Sequence, residues 1–195
     1  KLNMLRGRSG SGKTTLMNIM GGLDEPTSGR VWFGDECITD MSKRKRDMLR
    51  CRDIGFVFQS VALMPQMTAY ENVEYMLRIA GLGVDKERVN YCLDRVGLTA
   101  RAHHFPAELS GGEQQRVAIA RAMVHKPKLI FADEPTAELD SAMGLKVIKL
   151  FKELVSDGET ILMTTHDTNI MELADTIYTL EDGAIVDFSA GGEQA

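Results

Sequence analysis

Leu2-Asn3-Met4-Leu5-Arg6 runs directly into Gly7-Arg8-Ser9-Gly10-Ser11-Gly12-Lys13-Thr14-Thr15, and residues 13–21 then read as a helix. A short apolar strand, a glycine-rich turn of the form G-x-x-x-x-G-K-[ST] and a helix, in that order, make a phosphate cradle. The chemistry asks for these residue types. Glycines let backbone N–H groups converge on an anion without Cβ clashes. The helix that follows offers its unpaired first-turn N–H groups and the positive end of its dipole. Lys13 supplies a point charge for the terminal phosphates, and Thr14 a hydroxyl for Mg²⁺. Gly7, Ser9, Gly10, Ser11, Gly12, Lys13, Thr14 and Thr15 are therefore candidate binding residues for a nucleoside triphosphate.

Working outward, Leu129-Ile130-Phe131-Ala132 is an apolar strand that ends in Asp133-Glu134. In a parallel sheet, ligands bind at the carboxyl ends of strands. That places Asp133 beside Thr14 as a Mg²⁺ ligand, with Glu134 one step outward as a general base for water. Further strands read at residues 54–58, 160–164, 177–180 and 184–188, and a hairpin at 30–33 and 36–38 turns on Gly34-Asp35. Helical spacing covers residues 42–52, 68–80, 86–96, 110–125, 141–156 and 169–174. Strands alternate with helices near both ends while the middle is almost all helix, which predicts an α/β core with a helical insertion.

A length of 195 residues suits roughly one domain, and 44% hydrophobic with 26% charged residues is ordinary for a folded protein. Lys+Arg 23 against Asp+Glu 28 gives −5, a poor balance for a general nucleic-acid binder. No apolar run approaches the ~18 residues of a membrane span. No signal-peptide pattern opens the chain, and its start, without a Met, reads as cut. Cys37, Cys51 and Cys92 form no C-x-x-C pair and read as free thiols. The basic run Lys43-Arg44-Lys45-Arg46 reads as a solvated helix face, and His103, His104 and His125 as surface or structural residues.

A second anion-binding shape opens the helix at 110: Leu109-Ser110-Gly111-Gly112-Glu113. Ser110 is a good N-cap, and the glycines expose N–H groups at a helix N-terminus. A capping box closed by Glu113 accounts for these residues equally well. This cradle has no lysine and no metal ligand of its own, which suggests that Ser110, Gly111 and Gly112 complete someone else's site.

The phosphate loop, then Gln59, then Leu109 to Glu113, then Asp133-Glu134, then Glu138-Leu139-Asp140, then His166, in that order, resembles an ATP-binding cassette (ABC) transporter ATPase. The resemblance covers essentially the whole chain. It is nearest to cassettes of the lipoprotein-release and macrolide-efflux type, from residues 6–15, 21–29 and 110–122. It implies a P-loop NTPase (RecA-like) α/β core with a small antiparallel β portion and an inserted α-helical subdomain. The chain would be one domain, with core residues 1–59 and 126–195 and a helical signature subdomain at 60–125.

It also implies cofactors, partners and roles. ATP and Mg²⁺ would bind, with the metal on Thr14, Gln59 and Asp133. Hydrolysis would rest on Glu134, His166, Lys13 and Gln59, His166 bonding the γ-phosphate and orienting Glu134. Asp140 would lie in a loop that joins two subunits. A second copy would pack head-to-tail, so that each ATP lies between one loop and the other chain's Ser110 to Gly112. Residues ~61–77, with Pro65, Thr68, Glu71 and Asn72, would shape a groove for a helix of a transmembrane permease. The expected location is peripheral, on the cytoplasmic face of the membrane, with no nucleic-acid partner.

Two rivals remain open at this stage. A non-transport cassette would carry coiled-coil insertions or a second cassette. A P-loop kinase or nucleotide switch would lack the Leu109 to Glu113 segment. The chain departs from the family pattern in three places: no upstream strand with an adenine-stacking aromatic, Glu113 where many members have Gln, and Ala137 where many have Ser or Gly. The first departure predicts modest discrimination between ATP and GTP.

Overall fold

The computed structural model describes residues 1–165 and 167–190. Six strands form the main sheet: β1 (Leu2–Arg6), β4 (Ile54–Val57), β5 (Leu129–Ala132), β6 (Thr160–Thr164), β7 (Thr176–Glu181) and β8 (Ala184–Ala190). Their order is β4-β5-β6-β1-β7-β8; the first five are parallel and β8 closes one edge antiparallel to β7. A separate hairpin pairs β2 (Trp32–Phe33) with β3 (Glu36–Cys37), as its Gly-Asp turn predicts.

The central parallel strands read as nearly continuous apolar runs because helices cover both faces. The alternation is explicit on β5. Ile130 and Ala132 join the larger apolar cluster with α5 (Gly111–Met123) and α6 (Ser141–Ser156), while Phe131 faces the smaller one with Met17 of α1 (Lys13–Met20). Phe131 is 1% exposed, so truncation to Ala is expected to cost about 3–5 kcal/mol. Helix α2 (Lys43–Asp53) leads into β4. Helices α3 (Ala69–Ile79) and α4 (Lys86–Arg95) pack with α5, and α5 also lies against β4. That last contact is close: a Cβ on Gly55 would stand 2.3 Å from the Ala122 carbonyl oxygen.

The helix expected at 169–174 is shorter, α7 (Thr168–Met171). The chain turns out of it because Asp175 is bound to β1. The Asp175 N–H donates to the Leu2 carbonyl at 2.8 Å, and the Leu2 N–H to the Asp175 carboxylate at 2.7 Å. The parallel arrangement sets the loops after β1, β4, β5 and β6 at one edge of the sheet. In that edge β6 lies between β1 and β5, with Leu5 opposite Thr164 and Ala132 opposite Met163.

Candidate functional site

The loop between β1 and α1 is pinned from below. A Cβ on Gly7 would meet the Leu180 carbonyl oxygen at 2.3 Å, so only glycine fits there. The Gly183 N–H donates to the Ser11 carbonyl at 3.0 Å, tying the β7–β8 turn to the loop. Gly12 caps α1 in the left-handed conformation, φ 99°, with no side chain on the helix's first N–H groups. Ser11 is buried and its hydroxyl has no partner among the described residues. Lys13 is also buried, and its ammonium folds back to donate to the Gly7 and Arg8 carbonyls at 2.8 and 3.1 Å. An uncapped helix start, an orphaned hydroxyl and a cation within one loop fit a polyphosphate.

Across the loop stands Asp133. The Thr14 hydroxyl donates to its Oδ2 at 2.7 Å, and the Thr164 hydroxyl to its Oδ1 at 2.7 Å. Thr164 in turn accepts the Glu134 N–H at 2.8 Å. Glu134 is held at φ 47°, a left-handed conformation that costs a non-glycine residue about 1–3 kcal/mol. A polar cleft of about 290 Å³ gathers Ser9, Lys13, Thr14, Gln59, Asp133 and Glu134, with Gly10, Gly12 and Thr15 on its wall. Six of the expected loop residues, Gln59 and both carboxylates thus line one cleft, and Gly7 and Ser11 of the expected set do not. Thr164 was missed, although a threonine ending the apolar run Ile161-Leu162-Met163 was its signal. His166 lies outside the described residues.

Ser110 and its glycines are elsewhere: none of Ser110, Gly111 and Gly112 lines this cleft. The capping box foreseen at 110 is present. The Glu113 N–H donates to the Ser110 hydroxyl at 3.3 Å, and the Ser110 N–H to the Glu113 carboxylate at 2.9 Å. That backbone bond, with the hydroxyl's own, holds the Glu113 carboxyl below its usual range. The N–H groups of Gly111 and Gly112 take no part in the box, and Ser110 and Gly111 are exposed. Gly112 is packed from its own chain, where a Cβ would stand 3.2 Å from the Glu138 carbonyl. Asp140 N-caps α6, accepting from the Met143 N–H at 2.9 Å. It lines a second cavity of about 410 Å³ together with Glu134, Thr165 and Gly144.

Beyond Gln59 the chain crosses an apolar groove of about 380 Å³ that includes Leu23, Phe56, Phe58, Met64, Tyr75 and Ile79. Asn72 is fully buried beneath the loop beside it. It accepts the Met64 N–H at 2.8 Å and donates to the Met64, Met67 and Thr68 carbonyls. Thr68 and Glu71 form a capping box at the start of α3. Arg121 of α5 donates to the Ala62 and Val61 carbonyls at 2.8 and 3.3 Å, and burial lowers the pKa of its guanidinium. Pro65 is exposed at the loop's surface.

The sequence profile of the ABC transporter family matches residues 1–137. The chain belongs to the ABC transporter family. This cassette is 45% identical, over its whole length and 81% of the relative's, to the lipoprotein-releasing system ATP-binding protein LolD 2 of Rhodopirellula baltica. It is 48% identical, over 93% of its length, to the macrolide export ATP-binding/permease protein MacB of Syntrophobacter fumaroxidans, of which it spans 26%. The solved dimer of the ATP-binding cassette MJ0796, in a post-hydrolysis state with ADP and Pi, superimposes with a TM-score of 0.93 at 40% identity. The match covers 97% of this cassette and 85% of that chain. The α/β fold with its helical insertion is thus that of an ABC ATPase domain, and the kinase and switch readings fall away.

Proposed function

We propose that this cassette hydrolyses ATP as half of a head-to-tail dimer and drives a membrane permease of the exporter or lipoprotein-release type. The observation that carries the reading is the Thr14–Asp133 bond at 2.7 Å, formed in the cleft that also gathers Lys13, Gln59 and Glu134. Thr14, Asp133 and Gln59 are oxygen donors, the set a hard divalent cation prefers, and would hold Mg²⁺. Bound there, Mg²⁺ would neutralise charge on the phosphates. Lys13 swings from the Gly7 and Arg8 carbonyls to the terminal phosphates, and the first-turn N–H groups of α1 bind the oxygens. The Glu134 carboxylate takes a proton from water as its oxygen attacks the γ-phosphorus. The bond from that phosphorus to its bridging oxygen breaks, and ADP and phosphate leave. In this reading His166 orients Glu134 and the phosphate.

The Gly111 and Gly112 N–H groups of the second copy would close the site. This is why one chain carries a metal-binding cradle and a separate, exposed one. Residues 60–125 act as a helical signature subdomain on the core 1–59 and 126–195, and Gln59 stands at their junction. The apolar groove past Gln59 would receive the permease helix. No helix among the described residues is long and apolar enough to cross a membrane; in this reading the permease helps hold the cassette at the cytoplasmic face. Co-purification with the permease, lost in a Tyr75→Glu/Ile79→Glu groove variant of intact fold, would support the coupling. Retention in that variant would remove it.

A further inference from the structure

Helix α2 has two faces. Taking about 100° per residue, Arg46, Leu49, Arg50 and Asp53 share one side of it. Leu49 packs on the smaller apolar cluster. Arg46 pairs with Glu25, Arg50 with Asp47, and Asp53 with Lys128 at 2.8 Å. Arg30 pairs with Asp40 just ahead of the helix, at 3.9 Å. The carboxylates Glu25, Asp40, Asp47 and Asp53 around α2 are therefore each already matched by a cation. On the other side Arg44, Lys45, Met48 and Arg52 form one exposed stripe, about 100° wide, and Lys43 is exposed beside its start. None of these four cations makes an ion pair among the described residues, in a chain whose net charge is −5. The first turn holds no acidic residue, so the basic run opposes the helix dipole rather than serving it. The stripe has no structural task. It is also next to the groove assigned to the permease helix, since Arg50 and Cys51 of the same helix line that groove.

We propose that the outer stripe of α2, Arg44, Lys45, Met48 and Arg52, rests on the anionic phospholipid headgroups of the membrane that holds the permease. The proposal rests on the groove reading for its orientation, because a helix bordering that groove faces the bilayer. Charge complementarity selects the partner: an anionic leaflet attracts clustered Lys and Arg within about a Debye length, roughly fivefold in partitioning per residue. Met48, 45% exposed, adds an apolar contact at the centre of the stripe.

The test is co-sedimentation of the purified chain with phosphatidylcholine vesicles containing 30% phosphatidylglycerol (by design), against pure phosphatidylcholine, at low and physiological salt. The chain is expected to prefer the anionic vesicles, and salt to weaken the preference. Arg44→Gln/Lys45→Gln/Arg52→Gln should lower that binding about tenfold or more while basal ATP turnover and melting temperature stay unchanged. The groove variant Tyr75→Glu/Ile79→Glu should bind vesicles as the parent does while losing the permease, which separates failure of the groove reading from failure of this one. Equal partitioning of parent and triple variant, no preference for anionic over neutral vesicles, or tighter binding to a DNA duplex than to the vesicles would each overturn the proposal.

Discussion

The Thr14 hydroxyl and the Asp133 carboxylate meet at 2.7 Å although 119 residues of chain separate them. Strand order brings them together. β1 and β5 both deliver their loops to the carboxyl edge, and β6 between them contributes Thr164, which fixes the other oxygen of Asp133 and the N–H of Glu134. One buried hydroxyl thus holds the Asp133 carboxylate and the Glu134 main chain.

Thr164→Val is expected to lower kcat about tenfold, equivalent to about 1.4 kcal/mol, with a smaller change in KM. Losing the buried hydrogen bonds should also cost about 1–3 kcal/mol of stability. Steady-state kinetics with Thr164→Ser as the conservative variant check this. Rescue by Ser supports a positioning role, whereas an equal loss in both variants contradicts it.

Glu134→Gln should reduce turnover by about 10²–10⁴ and leave ATP binding intact, since the amide keeps the shape but takes up no proton. Turnover and nucleotide affinity measured on one preparation decide it. A variant within about threefold of the parent rate would remove Glu134 from the base role.

Ser110→Ala should cost about 0.5–2 kcal/mol, because the hydroxyl that accepts the Glu113 N–H is lost. Chemical denaturation measures it. An unchanged midpoint would mean that the box does not hold α5.

Glu159 gives the fold a pH signature. Burial, foremost, raises its pKa from 4.5 to about 7, while Arg88 and Lys126 pull the other way. The folded state therefore favours the protonated carboxyl. Its contribution is fully present below pH 4.5 and is lost as pH rises through about 7. Glu159→Gln, neutral throughout, should melt higher than the parent at pH 8 and the same at pH 4. A constant offset at both values would contradict this.

The sequence made the carboxyl edge of the sheet legible because glycine spacing, an apolar strand and terminal carboxylates are local signals. Ser9, Gly10, Gly12, Lys13, Thr14 and Thr15 of the expected loop, with Gln59, Asp133 and Glu134, lie on one cleft, while Gly7 and Ser11 do not line it. Contacts between distant segments were not legible. Nothing local marks Arg88 as the donor to the Met123 and Val124 carbonyls at the end of α5, or Arg121 as the tie to residues 61–62. Helix α7 ran too long in prediction because apolar spacing cannot show that Asp175 is bound to β1. At Ser110 the sequence offered two shapes as rivals; the capping box uses the N–H groups of residues 110 and 113, leaving those of the glycines between them outside it.

The most direct test of the shared site mixes two inactive proteins. Lys13→Ala damages the phosphate loop, and Ser110→Arg blocks the second cradle, so each homodimer has two damaged sites. A mixed dimer has one whole site, built from the loop of the Ser110→Arg chain and the cradle of the Lys13→Ala chain. ATP turnover is measured on each variant and on the mixture, with mixed-dimer formation verified by a tag on one chain and a linked dimer showing that one site suffices. The composite site predicts that mixing restores turnover well above the sum of the two variants. Turnover equal to that sum, with mixed dimers formed, would contradict it.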